Sequence, residues 1–512
     1  MNQPHTTLTN PRTTPCLSRA ALAVGLLACL TGGSAWAYDS GSTGADGVLN
    51  PAVSTEIVLP PNGVLQYTSV NIPVGVTVTF KKNALNTPVQ MIVSGNVTIA
   101  GTIDVKGQDS PPVGSAGNGN QADDGLPGLG GPGGFDGGRG GRSDSTGSAT
   151  STMGGAGQGP GGGRGGRWPN TANGSSGDPY REIGGSARFN SFDHTATDAS
   201  LYGNGPGAVY GTEALQPLIG GSGGGGGGGG LSFEGSGGGG GGGAILIAAS
   251  GTITVTGSIF AYGGSSGQPA GTGAGSYGGG GSGGAIRLIA TTLAGNGTIN
   301  ASYGCQYYNT ANGTTNCNSH RHQGGRGRIR FEAETLTFNG TVRPVASVGV
   351  PGPITIPNAP SIRIASIGGS SVPATPTGNA DVTLPANITN PVTVNFETAN
   401  VPTGNTIKLR VVPAYGDSVE VLSPAITGTA ASGATSVSVN LPQGPSVLQA
   451  ITSFTVTVAQ AEALQHFAQN ERVEKVELIA AVGGATRAEL VTASGKRFAV
   501  PLTVLQMAGV TG

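Results

Sequence analysis

Ala244-Ile-Leu-Ile-Ala-Ala-Ser-Gly-Thr-Ile-Thr-Val-Thr-Gly-Ser-Ile-Phe-Ala261 is the stretch whose reading decides the fold. From Thr252 on, apolar and polar residues alternate, so that Ile253 and Val255 point one way and Thr252, Thr254 and Thr256 the other. That is the period of a strand with one buried face. Gly257 interrupts it, and Ser258-Ile259 opens a second short strand. The same plan recurs in Gln90 to Val105, in Ala285 to Ala301 (AIRLIATTLAGNGTINA) and in Arg328 to Val345 (RIRFEAETLTFNGTVRPV). Each copy carries a glycine, then Thr or Ser, then a β-branched residue: Gly101-Thr-Ile, Gly257-Ser-Ile, Gly297-Thr-Ile and Gly340-Thr-Val. One such unit cannot bury its own apolar face, whereas stacking unit on unit can, so the repeat predicts the coils of a parallel β-helix. Sandwich strands alternate in the same way.

Long insertions separate the copies. Residues 107–243 hold most of the glycine, including Gly223 to Gly230 and Gly237 to Gly243, and residues 263–284 hold a shorter tract. Low-complexity glycine predicts flexible loops, because ordering glycine costs more backbone entropy than ordering any other residue. The alternative is extended chains packed side by side, which backbones without side chains permit if they pair along their length. Of 512 residues 97 are glycine and only 10% are charged, which disfavours a helical enzyme. The glycines do not recur at every third position, which excludes collagen. A net charge of −1 gives no general attraction to nucleic acid or anionic membranes.

Residues 1–37 have the parts of a secretory signal: Arg12 and Arg19, the apolar run Ala20 to Leu30, and Ala35-Trp36-Ala37 as the cleavage site. The run is too short to span a bilayer. Leu26-Leu27-Ala28-Cys29 loosely matches a lipoprotein signal, but cleavage after Ala37 sets the apolar core at the usual distance from the cut. The expected location is extracellular or cell-surface, with the periplasm as the alternative. Beyond the signal only Cys305 and Cys317 remain, and in an oxidising compartment so close a pair predicts a disulfide of about 3 kcal/mol.

After residue 350 the composition changes. Residues 351–378 read as a linker with one or two short strands, and residues 379–458 as an immunoglobulin-like β-sandwich, from regularly spaced alternating strands such as Pro391 to Phe396 and Thr406 to Val412. Residues 459–512 read as a helix (Ala459 to Asn470) and a β-hairpin turning at Gly483-Gly484. The fold class is therefore all-β, with residues 38–350 as the β-helix-like domain.

Asn50-Pro51, Val70 to Phe80 (VNIPVGVTVTF), Gly95 to Asp104 (GNVTIAGTID), Gly283 to Ala290 (GGAIRLIA) and Gly327-Arg-Ile-Arg330 resemble a group of uncharacterised, exported, glycine-rich bacterial surface proteins. The resemblance covers about Val48 to Val345. It implies export and a β-helical core, and brings no catalytic residues.

No motif points to a cofactor, a metal or a catalytic set. Gly138-Arg-Gly-Gly-Arg142 and Gly163-Arg-Gly-Gly-Arg167 look like RNA-binding boxes, yet a signal peptide contradicts that role, and they read as solubilising charges or contacts for an acidic glycan. His320 and His322, two positions apart, face one side of an extended chain, and Tyr307 and Tyr308 lie inside the cysteine loop; these four are weak ligand-contact candidates. Asp104 with Lys106, Asp193-His194, and Arg287, Arg328, Arg330, Glu332 and Glu334 are too sparse for an active site on acidic polysaccharide, and read as solvated strand faces. The expected function is a secreted or surface structural or adhesive protein with an extracellular polysaccharide or the cell surface as partner. A polysaccharide lyase or hydrolase on the same scaffold is the alternative, and a passive, self-assembling matrix role is a third reading.

Overall fold

The computed structural model describes residues 38–113, 125–142, 153–166, 207, 210–230, 234–268, 277–305, 323–354, 359–372, 382–484 and 486–510. The signal segment 1–37 lies outside them. The chain is all-β, with two short helices among the described residues. Its first part contains two parallel sheets whose strands alternate along the sequence.

The repeat copies supply the strands. Rung by rung, the long sheet contains β3 (Val64–Tyr67) and β4 (Ser69–Ile72), then β6 (Val89–Val93) and β7 (Val97–Ile99), then the uninterrupted β9 (Ala244–Val255), β11 (Ala285–Gly295) and β13 (Arg328–Leu336). β1 (Val48–Leu49) borders β4, and β15 (Ser347–Gly349) borders β13. The short sheet stacks β2 (Thr55–Val58), β5 (Thr77–Lys81), β8 (Thr102–Asp104), β10 (Ser258–Phe260), β12 (Thr298–Asn300) and β14 (Thr341–Arg343). Every pairing in the two sheets is parallel, and in the short sheet the register is constant: Val78, Ile103, Ile259, Ile299 and Val342 form one column. Val78, Ile103, Ile259 and Ile299 are fully buried, in one core with Ile247, Ile253, Ile286 and Leu288 of the long sheet. Each such side chain contributes about 1.5–3 kcal/mol.

The recurrent glycine has a steric reason. A β-carbon on Gly257 would run into the carbonyl oxygen of Gly101, one on Gly297 into that of Gly257, and one on Gly340 into that of Gly297. The glycines are stacked on one another where the chain turns from one sheet to the other, and only a residue without a side chain fits there.

The glycine-rich insertions depart from the expectation of flexible loops. Their described parts are extended segments bonded side by side, each carrying its hydrogen bonds at every third residue. The amides of Gly107, Ser110 and Val113 donate to the carbonyls of Tyr262, Ser265 and Gln268, at 2.9, 2.9 and 2.7 Å. Phe135, Gly138 and Gly141 donate to Gly221, Gly224 and Gly227 in the same way. Three residues per turn without internal hydrogen bonds is the geometry of an extended polyproline-II-type helix. In the innermost run, Gly235, Gly238 and Gly241 donate to residues of 135–141, Gly239 and Gly242 to Gly279 and Ser282, and Gly240 and Gly243 to Gln108 and Val105. Three neighbours at successive residues leave no direction free for a side chain. The entropy of a single glycine chain favours the loop, but each amide bonded to a neighbouring chain gains about 0.5–1.5 kcal/mol, of the same order as the backbone entropy it offsets.

The rest of the chain forms two antiparallel sheets around one core. One contains β16 (Ser361–Ile367), β17 (Ser370–Ser371), β18 (Val392–Ala399), β21 (Thr427–Gly428) and β22 (Gly433–Val439), in the order β17-β16-β18-β22-β21. The other contains β19 (Ile407–Pro413), β20 (Val419–Leu422), β23 (Ser446–Thr455), β24 (Val473–Ala481), β25 (Arg487–Thr492) and β26 (Arg497–Val500), in the order β20-β19-β23-β24-β25-β26. The segment read as a linker thus supplies β16, and the hairpin read as a separate terminal part extends the second sheet. The helix is shorter than expected: α1 (Val458–Leu464) starts at a Thr457–Gln460 capping box and passes into a 3-10 turn, Gln465–Phe467. Gln469 and Asn470, at φ of 53° and 62°, turn the chain away. A second helix, α2 (Leu502–Met507), closes the core.

Gly224→Ala tests the packing, because its β-carbon would strike the Gly279 carbonyl, whereas one at Gly484 meets nothing nearer than 3.5 Å. Thermal denaturation should show G224A destabilised by about 2–3 kcal/mol and G484A close to wild type.

Candidate binding face on the short sheet

The outer face of the short sheet is set by the same alternation that buries its isoleucines. Thr77, Thr102, Ser258, Thr298 and Thr341 occupy one outward column. Strand spacing makes this a row of hydroxyls about 4.8 Å apart. The neighbouring outward column reads Glu56, Thr79, Asp104, Phe260, Asn300 and Arg343. Beyond it the chain turns into the glycine bundle, which brings Lys106 and Tyr262 alongside.

These side chains form a connected patch. Lys106 Nζ lies 3.1 Å from Asp104 Oδ2 and 5.8 Å from the Tyr262 ring centroid. Tyr262 and Phe260 sit with ring centroids 5.6 Å apart. Partial burial pushes the Lys106 ammonium pKa down, but the hydrogen bond and charge of Asp104, with Tyr262 beside them, outweigh this and hold it above its ordinary value. Lys106 therefore stays cationic at neutral pH and serves as a donor rather than a base. The nearest carboxylate along the column is Glu56, two strands from Asp104, or roughly 9.6 Å at ordinary strand spacing. That lies at the far limit for a pair of carboxylates flanking a glycosidic bond. The patch offers hydroxyl, carboxylate and ammonium groups that can hydrogen-bond, beside partly exposed aromatic surface.

Two of the charges on the long sheet play a different part from the solvated faces expected of them, whereas Glu334 is exposed. Arg287 and Glu332 are buried, at 3% and 2% exposure. The guanidinium donates to both carboxylate oxygens, Nε to Oε1 at 3.1 Å and Nη2 to Oε2 at 3.0 Å. Arg330 Nε adds a bond to Oε1 at 3.2 Å, and the Gly352 amide one to Oε2 at 2.9 Å. Arg287 also reaches the Pro353 carbonyl, at 3.2 Å. Glu334 accepts the Tyr38 amide, at 2.7 Å, and Arg328 donates to the Tyr210 carbonyl, at 3.4 Å. Segments laid across the sheet bury Arg287 and Glu332: Leu215, Leu218 and Ile354 pack on Leu246, Ala248 and Ile289. The cluster ties the crossing chain down.

The chain matches no protein-family model, no curated protein and no solved structure. The site must be read from its own residues.

Among the other sequence candidates, Tyr307, Tyr308, His320, His322, Cys317, Asp193, His194 and Arg167 lie outside the described residues. Cys305 is buried at 4% exposure beside the glycine bundle. Arg139, Arg142 and Arg164 are exposed while the glycines flanking them are buried. The threefold repeat of the extended chains explains this, since Arg139 and Arg142 lie three residues apart and both point out of the bundle. Among the described residues no group of three or more His, Cys, Asp or Glu is placed to hold a metal, and no helix is long and apolar enough to cross a membrane. Phe260 and Tyr262 were missed from the sequence. The signal was available: Phe260 occupies an outward position in a repeat where the other copies carry Asp104, Asn300 and Arg343.

The Glu332 cluster gives a pH prediction. Burial would raise the Glu332 carboxyl, but the hydrogen bonds and charge of Arg287, with Gly352 and Arg330, hold it below its ordinary 4.5. The folded state then binds this proton less readily than the unfolded chain, so the stabilisation is present above 4.5 and is lost as pH falls through the lower folded value. Denaturation midpoints should show Glu332→Gln destabilised by about 3–5 kcal/mol near neutrality, because Arg287 is left buried without its counter-charge. The acid-induced loss of stability should be shallower in E332Q than in the wild type.

Proposed function

We propose that this protein is a secreted or cell-surface structural and adhesive protein that holds extracellular polysaccharide along the outer face of the short sheet. The observation that carries the reading is the hydroxyl column Thr77–Thr102–Ser258–Thr298–Thr341 running beside Lys106, Phe260 and Tyr262. A linear glycan laid across the strands meets a repeating donor and acceptor at every rung and aromatic surface along one border. In this reading the parallel sheets are two sides of a β-helix serving as a rigid spacer, and the antiparallel pair is an immunoglobulin-like sandwich. The chain is exported through residues 1–37, in keeping with its resemblance to glycine-rich surface proteins. Cys305 and Cys317 close a disulfide loop that carries Tyr307 and Tyr308, with His320 and His322 just after it, as further ligand contacts.

The second reading, a polysaccharide lyase or hydrolase, rests on Asp104 and its partner Lys106. The raised Lys106 and the long reach to Glu56 favour retention over cleavage.

Passage of the processed chain over immobilised neutral and acidic polysaccharides tests both readings. Retention on at least one is expected, weakened about tenfold (~1.4 kcal/mol) by Tyr262→Ala or by T102V with T298V. No retention on any of them overturns the adhesive reading, and new reducing ends from a soluble glycan replace it with the enzymatic one.

A further inference from the structure

Among the described residues no further strand pairs with either end of the parallel stack, and the two ends are complementary to each other. We propose that copies of this chain associate head to tail, the β13–β15 end of one molecule adding to the β1–β3 end of the next as a continuation of the same ladders. This goes beyond glycan retention: Glu56 and Arg343 are the two end members of the column that borders that face, and lie away from Lys106, Phe260 and Tyr262.

Three columns carry the inference. In the short sheet, the column that ends in Arg343 at one end begins with Glu56 at the other. Both are exposed, and neither has an ion-pair partner among the described residues. One more strand step sets Glu56 of the next copy directly beside Arg343, an opposite-charge cross-strand pair. In the second half of the long sheet, one apolar column runs Leu49, Val70, Val97, Ile253, Leu293 and Leu336. Leu336 is 40% exposed at its open end, and a following copy would cover it with Leu49.

The third column supplies shape. β15 projects one strand beyond β13 and pairs with no other strand among the described residues, and Val348 within it is 58% exposed. At the opposite end β3 pairs with β6 alone. The segment before β1 meets β3 only from Gln66 on: the Asp46 amide donates to the Gln66 carbonyl at 2.7 Å and the Thr68 amide to the Gly47 carbonyl at 2.7 Å. Among the described residues no strand lies over Val64 and Leu65 on that side. In register, β15 of one copy would fall on Val64 and Leu65 of the next, Val348 extending the column of Phe331, Leu288, Ile247, Met91 and Leu65. The projecting strand at one end matches the uncovered strand at the other. Unpaired parallel edges recruit further strands, and an end-to-end contact between different surfaces does not close by two-fold symmetry, so it propagates.

Charge reversal separates this from unspecific aggregation. The full chain, processed by its host cell, is followed by sedimentation velocity and negative-stain microscopy, with circular dichroism as the check on folding. Wild type is expected to form linear, concentration-dependent oligomers. E56R alone and R343E alone should each assemble about tenfold more weakly. An equimolar mixture of the two should recover assembly, because each end then meets an opposite charge, and so should the double variant E56R with R343E. A wild type that stays monomeric at all concentrations overturns the proposal. So does assembly that the single reversals leave unchanged, or that mixing does not restore.

Discussion

In the interior of the glycine bundle, backbones approach until each carbonyl oxygen occupies the space a neighbouring residue's side chain would need. The hydrogen bonds that result leave at every third residue toward a different neighbour, and the parallel sheets depend on them. Each glycine run feeds straight into a long strand: Gly243 into Ala244, Gly284 into Ala285 and Gly327 into Arg328. The carbonyl of Val105, at the exit from β8, accepts the amide of Gly243, at the entrance to β9. The bundle therefore sets the register in which one rung meets the next, and the apolar columns follow from that register.

The strands were legible because their physics is local. Alternation in Thr252 to Thr256 and the recurring glycine, hydroxyl and β-branched triplet identify the two strands of each rung without reference to anything distant. The bundle was not legible, because composition alone cannot distinguish a floppy glycine tract from one whose amides bond to neighbouring chains. That difference lies in neighbours more than 60 residues away, as between Phe135 and Gly221. The same blindness affected the charges. Arg287 and Glu332 sit at alternating positions that look solvated, and only the chain crossing over them, with Gly352 and Leu218, makes them interior.

The candidate site was half visible. Asp104 and Lys106 stood out as charges on the polar side of a repeat, but reading them as an acid–base pair required a second carboxylate within reach. The constant register instead puts hydroxyls and aromatic rings beside them, because Phe260 follows Asp104 in its column and Tyr262 follows Phe260 by two residues. A surface generated by stacking repeats the same group at a fixed step, which suits a polymeric ligand better than a single small molecule. The sequence could hint at this only through the identity of the residue that follows each triplet.

A run such as Gly237 to Gly243 has no internal landmarks, so a chain sliding along its neighbours by a whole turn would find the same bonds again. Ser222, Ser236 and Ser282 break that degeneracy. All three are buried; the Ser222 amide donates to Ser282 Oγ at 2.8 Å, the Gly278 amide to Ser236 Oγ at 2.8 Å, and the Gly161 amide to Ser222 Oγ at 2.9 Å. These hydroxyls act as index marks on an otherwise blank rod. Insertions and deletions between the marks preserve every facing only in multiples of three, so the bundle can lengthen during descent by whole turns while its fractional phases stay closed to it.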